Sequence, residues 1–144
     1  NRLARMLTKK GFKIVLTRKE DSTVSLQERV EISNAKRPVL FMSVHVNASV
    51  NETVRGVETH YWKDNSLKYA NIVQKHLSTV DSPARGVVKS KFYVINHTEA
   101  PAVLVEIGFI SNAQERNELV SEKRKEQTAK VLADAIVEYL KTVK

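Results

Sequence analysis

Two ionisable residues close the two most apolar stretches of this 144-residue chain: His45 follows VLFMSV, and Glu106 follows AVLV. A neutral imidazole is a metal ligand, and a carboxylate can take a proton from metal-bound water, so the pair points to metal-assisted hydrolysis. The inference requires the two stretches to be neighbours. Each residue also has a plainer reading. A histidine at a strand end commonly serves as a hydrogen-bonding group, and a glutamate there commonly pairs with an arginine. Their equivalent positions, each at the end of a buried run, are what join them into one candidate site.

The other histidines carry less. His60 alternates with Glu58 and Trp62 in VETHYW and reads as a rim residue. His76 sits near the end of a helical pattern, where a cation complements the dipole. His97 follows FYVIN and is within reach of a site mouth. No H-E-x-x-H pair occurs, so the chain contains no complete zinc signature.

The elements that must hold these residues follow from periodicity. NRLARMLTKKG reads as the tail of an amphipathic helix ending at Gly11, and FKIVLTR as a strand. TVSLQERVEISNAK is helical, with Leu26, Val30 and Ser33 in register and Pro38 stopping it. VLFMSVHV and PAVLVEIGF are continuous apolar runs, the pattern of parallel strands covered on both faces. Between them lie a polar loop, the strand VETHYW, the helix NSLKYANIVQKHLSTV with Asn65 or Ser66 as N-cap, and a strand in SKFYVINH. TAKVLADAIVEYLKTVK closes the chain as a helix whose stripe is Ala129, Leu132, Ala133, Ile136, Val137 and Leu140. Alternating strands and helices predict a single α/β domain over 1–144, a mostly parallel central sheet flanked by helices on both faces.

Composition bounds the partners. Twenty-four Lys and Arg against sixteen Asp and Glu give a net charge of +8, a surplus that suits polyanions: nucleic acid, acidic lipid or the anionic polymers of a bacterial wall. The basic residues are scattered, and no helix-turn-helix, RNP-like or aromatic-interleaved basic stretch supports nucleic acid as partner. No window is apolar enough for a membrane span, and no signal-peptide pattern opens the chain. With no cysteine, disulfides, thiolate ligands and a cysteine nucleophile are excluded. Nothing in the pattern specifies an oligomeric state.

GFKIVLTRKED, SLQERVEISNAKRPVLFMSVHVNAS, GVETHYW, ARGVVKSKFYVINHTEAPAVLVEIGFISN and the closing helix, in that order, resemble the zinc-dependent N-acetylmuramoyl-L-alanine amidases. These are cell-wall hydrolases with S-[IV]-H-x-N and E-x-G-F-x-S-N motifs. The resemblance implies zinc as cofactor, His45 as the last ligand and Glu106 as the catalytic carboxylate. The substrate implied is peptidoglycan or a muropeptide, cut between N-acetylmuramic acid and L-alanine outside the cytoplasm, either secreted, wall-bound or periplasmic. Arg18, Asp21, Arg29 and Asn34 fall in stretches that orient the site, and Asn47 would support the His45 loop. Arg85, Gly86 and Lys89 match a substrate-side loop, although RGVVKS is one residue longer than the usual RGVK. With His97, these make Asn47, Arg85 and Lys89 the expected substrate-binding residues. The family's first two ligands, in a glycine-rich loop and before the first helix, are expected to precede Asn1. The domain is thus expected to be N-terminally incomplete. The competing expectation is a catalytically inactive wall-binding form of the same fold.

Overall fold

In the computed structural model, which describes residues 1–143, helices Arg2–Lys9 (α1) and Leu26–Lys36 (α2) precede strand Phe41–Asn47 (β1). Val57–Tyr61 (β2), a 3-10 turn at Asp64–Ser66, Leu67–Leu77 (α3) and Ala84–Lys89 (β3) follow. Tyr93–His97 (α4), Ala102–Phe109 (β4), Ala113–Leu119 (α5) and Glu122–Lys141 (α6) complete the order. The sheet runs β1-β4-β2-β3. β1 with β4 and β2 with β3 are parallel, and β4 with β2 is antiparallel, so the sheet is mostly parallel, as its sequence predicts.

Alternation along the strands sends residues to two helical layers. Val57, Val103 and Val105 bury against Tyr69, Val73 and Leu77 of α3 and Leu132, Ala135 and Tyr139 of α6. Ala102 and Leu104 face the other way, onto Val30 of α2 and Val94 and Ile95 of α4. Full burial of a Val or Leu side chain stabilises by about 1.5–3 kcal/mol, so the first layer dominates. α1 lies outside it, with Leu7 against Ala133 and Ile136. The start of α2 is fixed by a capping box between Ser25 and Glu28, and its end by Arg37 in a left-handed conformation (φ 49°).

Three sequence expectations are corrected, and two further elements appear. FKIVLTR forms no strand among the described residues. Phe12 and Ile14 pack onto the Leu7 cluster, while Val15 and Leu16 stay exposed. SKFYVINH forms the short helix α4 instead of a strand, because consecutive Val94 and Ile95 both bury, as a helix allows and alternation does not. The missing strand is ARGVVK, where Val87 alone reaches the core from a charged edge. β1 is not covered on both faces: at the sheet margin Val44 and Val46 are exposed. Helix α5 arises within the polar stretch after SN, capped by Asn112. Lys144, last residue of the closing helical pattern, lies outside the described residues.

Candidate functional site

The sheet brings His45 and Glu106 side by side. His45 of β1 is the in-register partner of Glu106 of β4, and Glu106 in turn is opposite Glu58 of β2. By parity all three project on the face that carries α2 and α4, forming one row across the sheet. The row lies where β1 and β4 end and β2 begins, the strand-end position at which α/β sheets bind ligands.

Glu106 is the most perturbed member. Its Oε2 is buried and has no hydrogen-bond partner among the described residues. Burial, and next the neighbouring Glu58 charge, push its carboxyl up to about 7. That value suits a group that both accepts and returns a proton near neutrality. His45 is half-buried, and its Nε2 lies 2.8 Å from Ser43 Oγ. Burial, and then the Arg29 charge, lower its proton affinity and favour the neutral imidazole that a metal requires. Arg29 is held by its own Nε donating to Val24 O at 3.1 Å.

Glu58 is the hub that sequence reading missed. One carboxylate oxygen accepts from Asn47 Nδ2 at 2.8 Å and lies 3.3 Å from His60 Nε2, while the other is 3.5 Å from Arg85 Nε. The signal was present in the alternation of VETHYW, which puts Glu58 and His60 on one face. His60 is buried, not at the rim, with Nδ1 2.7 Å from Ser90 Oγ and its ring edge on Phe92. The Arg85 guanidinium also lies over the Phe109 ring, 5.1 Å from its centroid.

A second carboxylate fixes the backbone beneath the row. Glu115 Oε1 accepts from Gly56 N at 2.8 Å and Phe109 N at 3.2 Å, which tethers the start of β2 to the end of β4. Its Oε2 meets Ser82 Oγ at 2.9 Å, Arg55 at 3.3 Å and Arg124 at 3.4 Å. Gly56 sits at φ 136° with Pro83 O only 2.6 Å from where a Cβ would be, so no side chain fits there.

The expected substrate-side residues separate. Asn47 is engaged by Glu58 and by the Ala48 amide, so it supports the loop. Arg85 is adjacent to the row. Lys89 pairs with Tyr61, three residues further along β2 than Glu58, and its ammonium lies over Trp62 at 5.3 Å. His97, exposed at the end of α4, packs on Tyr93. Asn34 joins α2 to the segment after α4 through His97 O and Glu99 N. Arg18 and Asp21 are exposed.

A catalytic zinc takes three protein donors. Among the described residues no group of three His, Asp or Glu side chains could hold a metal ion. His45 supplies a single donor, so the described residues do not by themselves fit a zinc centre.

Comparison with known proteins places the chain in a family. The sequence profile described as N-acetylmuramoyl-L-alanine amidase matches residues 1–138. The N-acetylmuramoyl-L-alanine amidase LytC of Bacillus subtilis (strain 168) is 36% identical over 138 residues, covering 92% of this chain and 28% of LytC. YqiI of the same organism, an uncharacterized protein, is also 36% identical over 138 residues, covering 92% of this chain and 66% of its own length. This chain therefore spans only part of the curated relatives it matches. The catalytic domain of the amidase CwlV from Bacillus (Paenibacillus) polymyxa var. colistinus superposes with a TM-score of 0.95 at 33% identity, over 97% of this chain and 79% of that one. An N-acetylmuramoyl-L-alanine amidase from Clostridium difficile 630 gives 0.95 at 31%, over 99% and 80%. The profile match spans the chain from its first helix into its last, and the fold superposes along almost its whole length: the chain belongs to the N-acetylmuramoyl-L-alanine amidases.

Proposed function

We propose that the chain is the catalytic part of a peptidoglycan hydrolase that cleaves the amide between N-acetylmuramic acid and the L-alanine of the stem peptide. The carrying observation is the in-register His45–Glu106 pair, whose carboxylate has one buried oxygen unpartnered among the described residues and a pKa raised to about 7. Amide hydrolysis needs a group that removes a proton from the attacking water and delivers one to the leaving amine, and Glu106 is suited to both. Arg85 and Lys89, both exposed, and His97 are the proposed substrate contacts, with Asn47 holding the loop after His45. The cofactor proposed is zinc, with His45 among its ligands and the remaining donors outside the described residues. When bound, it would supply Lewis acidity and an acidified water. The place of action is the cell wall, outside the cytoplasm, which the net charge of +8 suits. LytH of Staphylococcus aureus, 28% identical, is named a probable cell wall amidase.

The test is release of new L-alanine amino termini from purified walls by the natural protein and by Glu106→Gln. Chelator-sensitive release, reduced by roughly 10²–10⁴-fold in the variant, is expected. A variant that keeps its rate refutes the assignment of Glu106. Sedimentation with walls, unaffected by chelator and without any release, would replace the hydrolase by a wall-binding module.

A further inference from the structure

Away from the His45–Glu106–Glu58 row, two ammonium groups converge on one aromatic ring. Lys89 Nζ and Lys91 Nζ lie 5.3 and 5.6 Å from the centroid of Trp62. Among the described residues no carboxylate is within salt-bridge reach of either. Both flank Ser90, which is pinned twice: its amide donates to Tyr61 O at 2.9 Å and its hydroxyl meets His60 Nδ1 at 2.7 Å. Trp62 is anchored from below by the Val30–Ile95 cluster. The two cations therefore share a fixed aromatic base, and among the described residues neither is paired with an acidic side chain. Two unpaired ammonium groups on one ring favour an anionic ligand there.

We propose that Trp62, Lys89 and Lys91 form a subsite for a carboxylate on the peptide part of the substrate. This rests on the amidase reading above, and adds to it Trp62 and Lys91. Lys89 and Trp62 lie three to four strand residues beyond the row, about 10–13 Å at roughly 3.3 Å per residue. An extended peptide covers that span in about three or four residues. The carboxylate recognised is thus near the third residue from the scissile bond. The chain Glu58–His60–Ser90 links this subsite to the row by contacts of 3.3 and 2.7 Å.

Trp62 is the sole tryptophan of the chain, so its fluorescence reports on the subsite directly. The probes are a muramoyl-tripeptide with a free C-terminal carboxylate and the same molecule as its C-terminal amide, titrated into Glu106→Gln protein so that no turnover intervenes. The carboxylate form is expected to bind about ten-fold more tightly at low salt. Raised salt should erase the difference, and so should Lys89→Gln combined with Lys91→Gln. Equal binding of the two forms, or a difference that survives in the double variant, overturns the proposal. Poly(glycerol phosphate) is the third probe. If it displaces the tripeptide with higher affinity, the site belongs to a phosphate polymer and the peptide assignment fails. Because the readout is binding without hydrolysis, these outcomes are independent of whether the natural protein releases L-alanine termini.

Discussion

Replacing Glu115 with alanine removes the acceptor that ties the first residue before β2 to the last residue of β4. The Gly56 and Phe109 amides would each be left without their acceptor, at about 1–3 kcal/mol apiece. Arg124, only 4% exposed, would keep Glu118 and the Asp81 carbonyl but lose its most buried counter-charge. Breaking a buried pair in this way costs about 3–5 kcal/mol when nothing compensates. These losses share one carboxylate and do not simply add, so the expected destabilisation is about 4–6 kcal/mol. That is a large part of the roughly 5–15 kcal/mol that holds a domain of this kind together. Glu115→Gln keeps an oxygen for both amides while losing the charge, and should cost about half as much. Urea unfolding followed by circular dichroism and Trp62 fluorescence measures both. An alanine variant within about 1 kcal/mol of the natural protein would refute the tether. The acid side gives an independent check. Burial pushes the Glu115 carboxyl up, but hydrogen bonds from Gly56, Ser82 and Phe109 and the Arg124 charge outweigh it and hold it below its ordinary 4.5. Its contribution is therefore complete above pH 4.5 and is lost as pH falls through the depressed native value. Glu115→Gln should flatten that acid limb.

Amide release should climb with pH through about 7, as Glu106 loses its proton. Glu58→Gln removes the neighbouring anion and should move that limb to lower pH; a pH–rate profile in which the limb stays put would leave burial as the sole cause. Gly56→Ala forces a Cβ to within 2.6 Å of Pro83 O and 2.7 Å of Arg85 Cγ at φ 136°, and should lower stability by about 2 kcal/mol or more in the same urea assay. Since the clash pushes on Arg85, KM for wall fragments should rise more than kcat falls.

The site was legible where chemistry coincided with a strong pattern. His45 and Glu106 stand out because each interrupts an apolar run, and a shared sheet end follows from pairing those runs. Glu58 carries the same alternation but lies in a short mixed strand, where a carboxylate looks like an ordinary solvent-facing residue; only the β2–β4 pairing puts it beside Glu106. His60 was misplaced to the rim for the same reason. Tertiary cover from Phe92 and Ser90, remote in sequence, is what buries it. The strand expected in SKFYVINH lies instead in ARGVVK, because β-branched and aromatic residues favour strands only when a ladder is available. Residues 84–89 find one beside β2, whereas 93–97 bury consecutive Val94 and Ile95 under α2. Glu115 gave no signal at all. A glutamate at the third position of a helix reads as an ordinary capping partner, and its burial depends on Gly108, where a Cβ would come within 3.0 Å of its side chain.

The central place of β4 has a consequence for the order in which the protein acquires its site. β2, α3 and β3 are consecutive in the chain and can pair as soon as they are made, whereas β1 has no strand neighbour until β4 arrives. β4 must enter between two strands already synthesised, one parallel to it and one antiparallel. Contacts so distant in sequence are closed late because their loops cost the most entropy. Glu106 rides on that late strand, and Glu115 follows it to lock the entry. A chain emerging from the ribosome therefore pairs β2 with β3 first and joins the three members of the row last, when β4 enters the sheet.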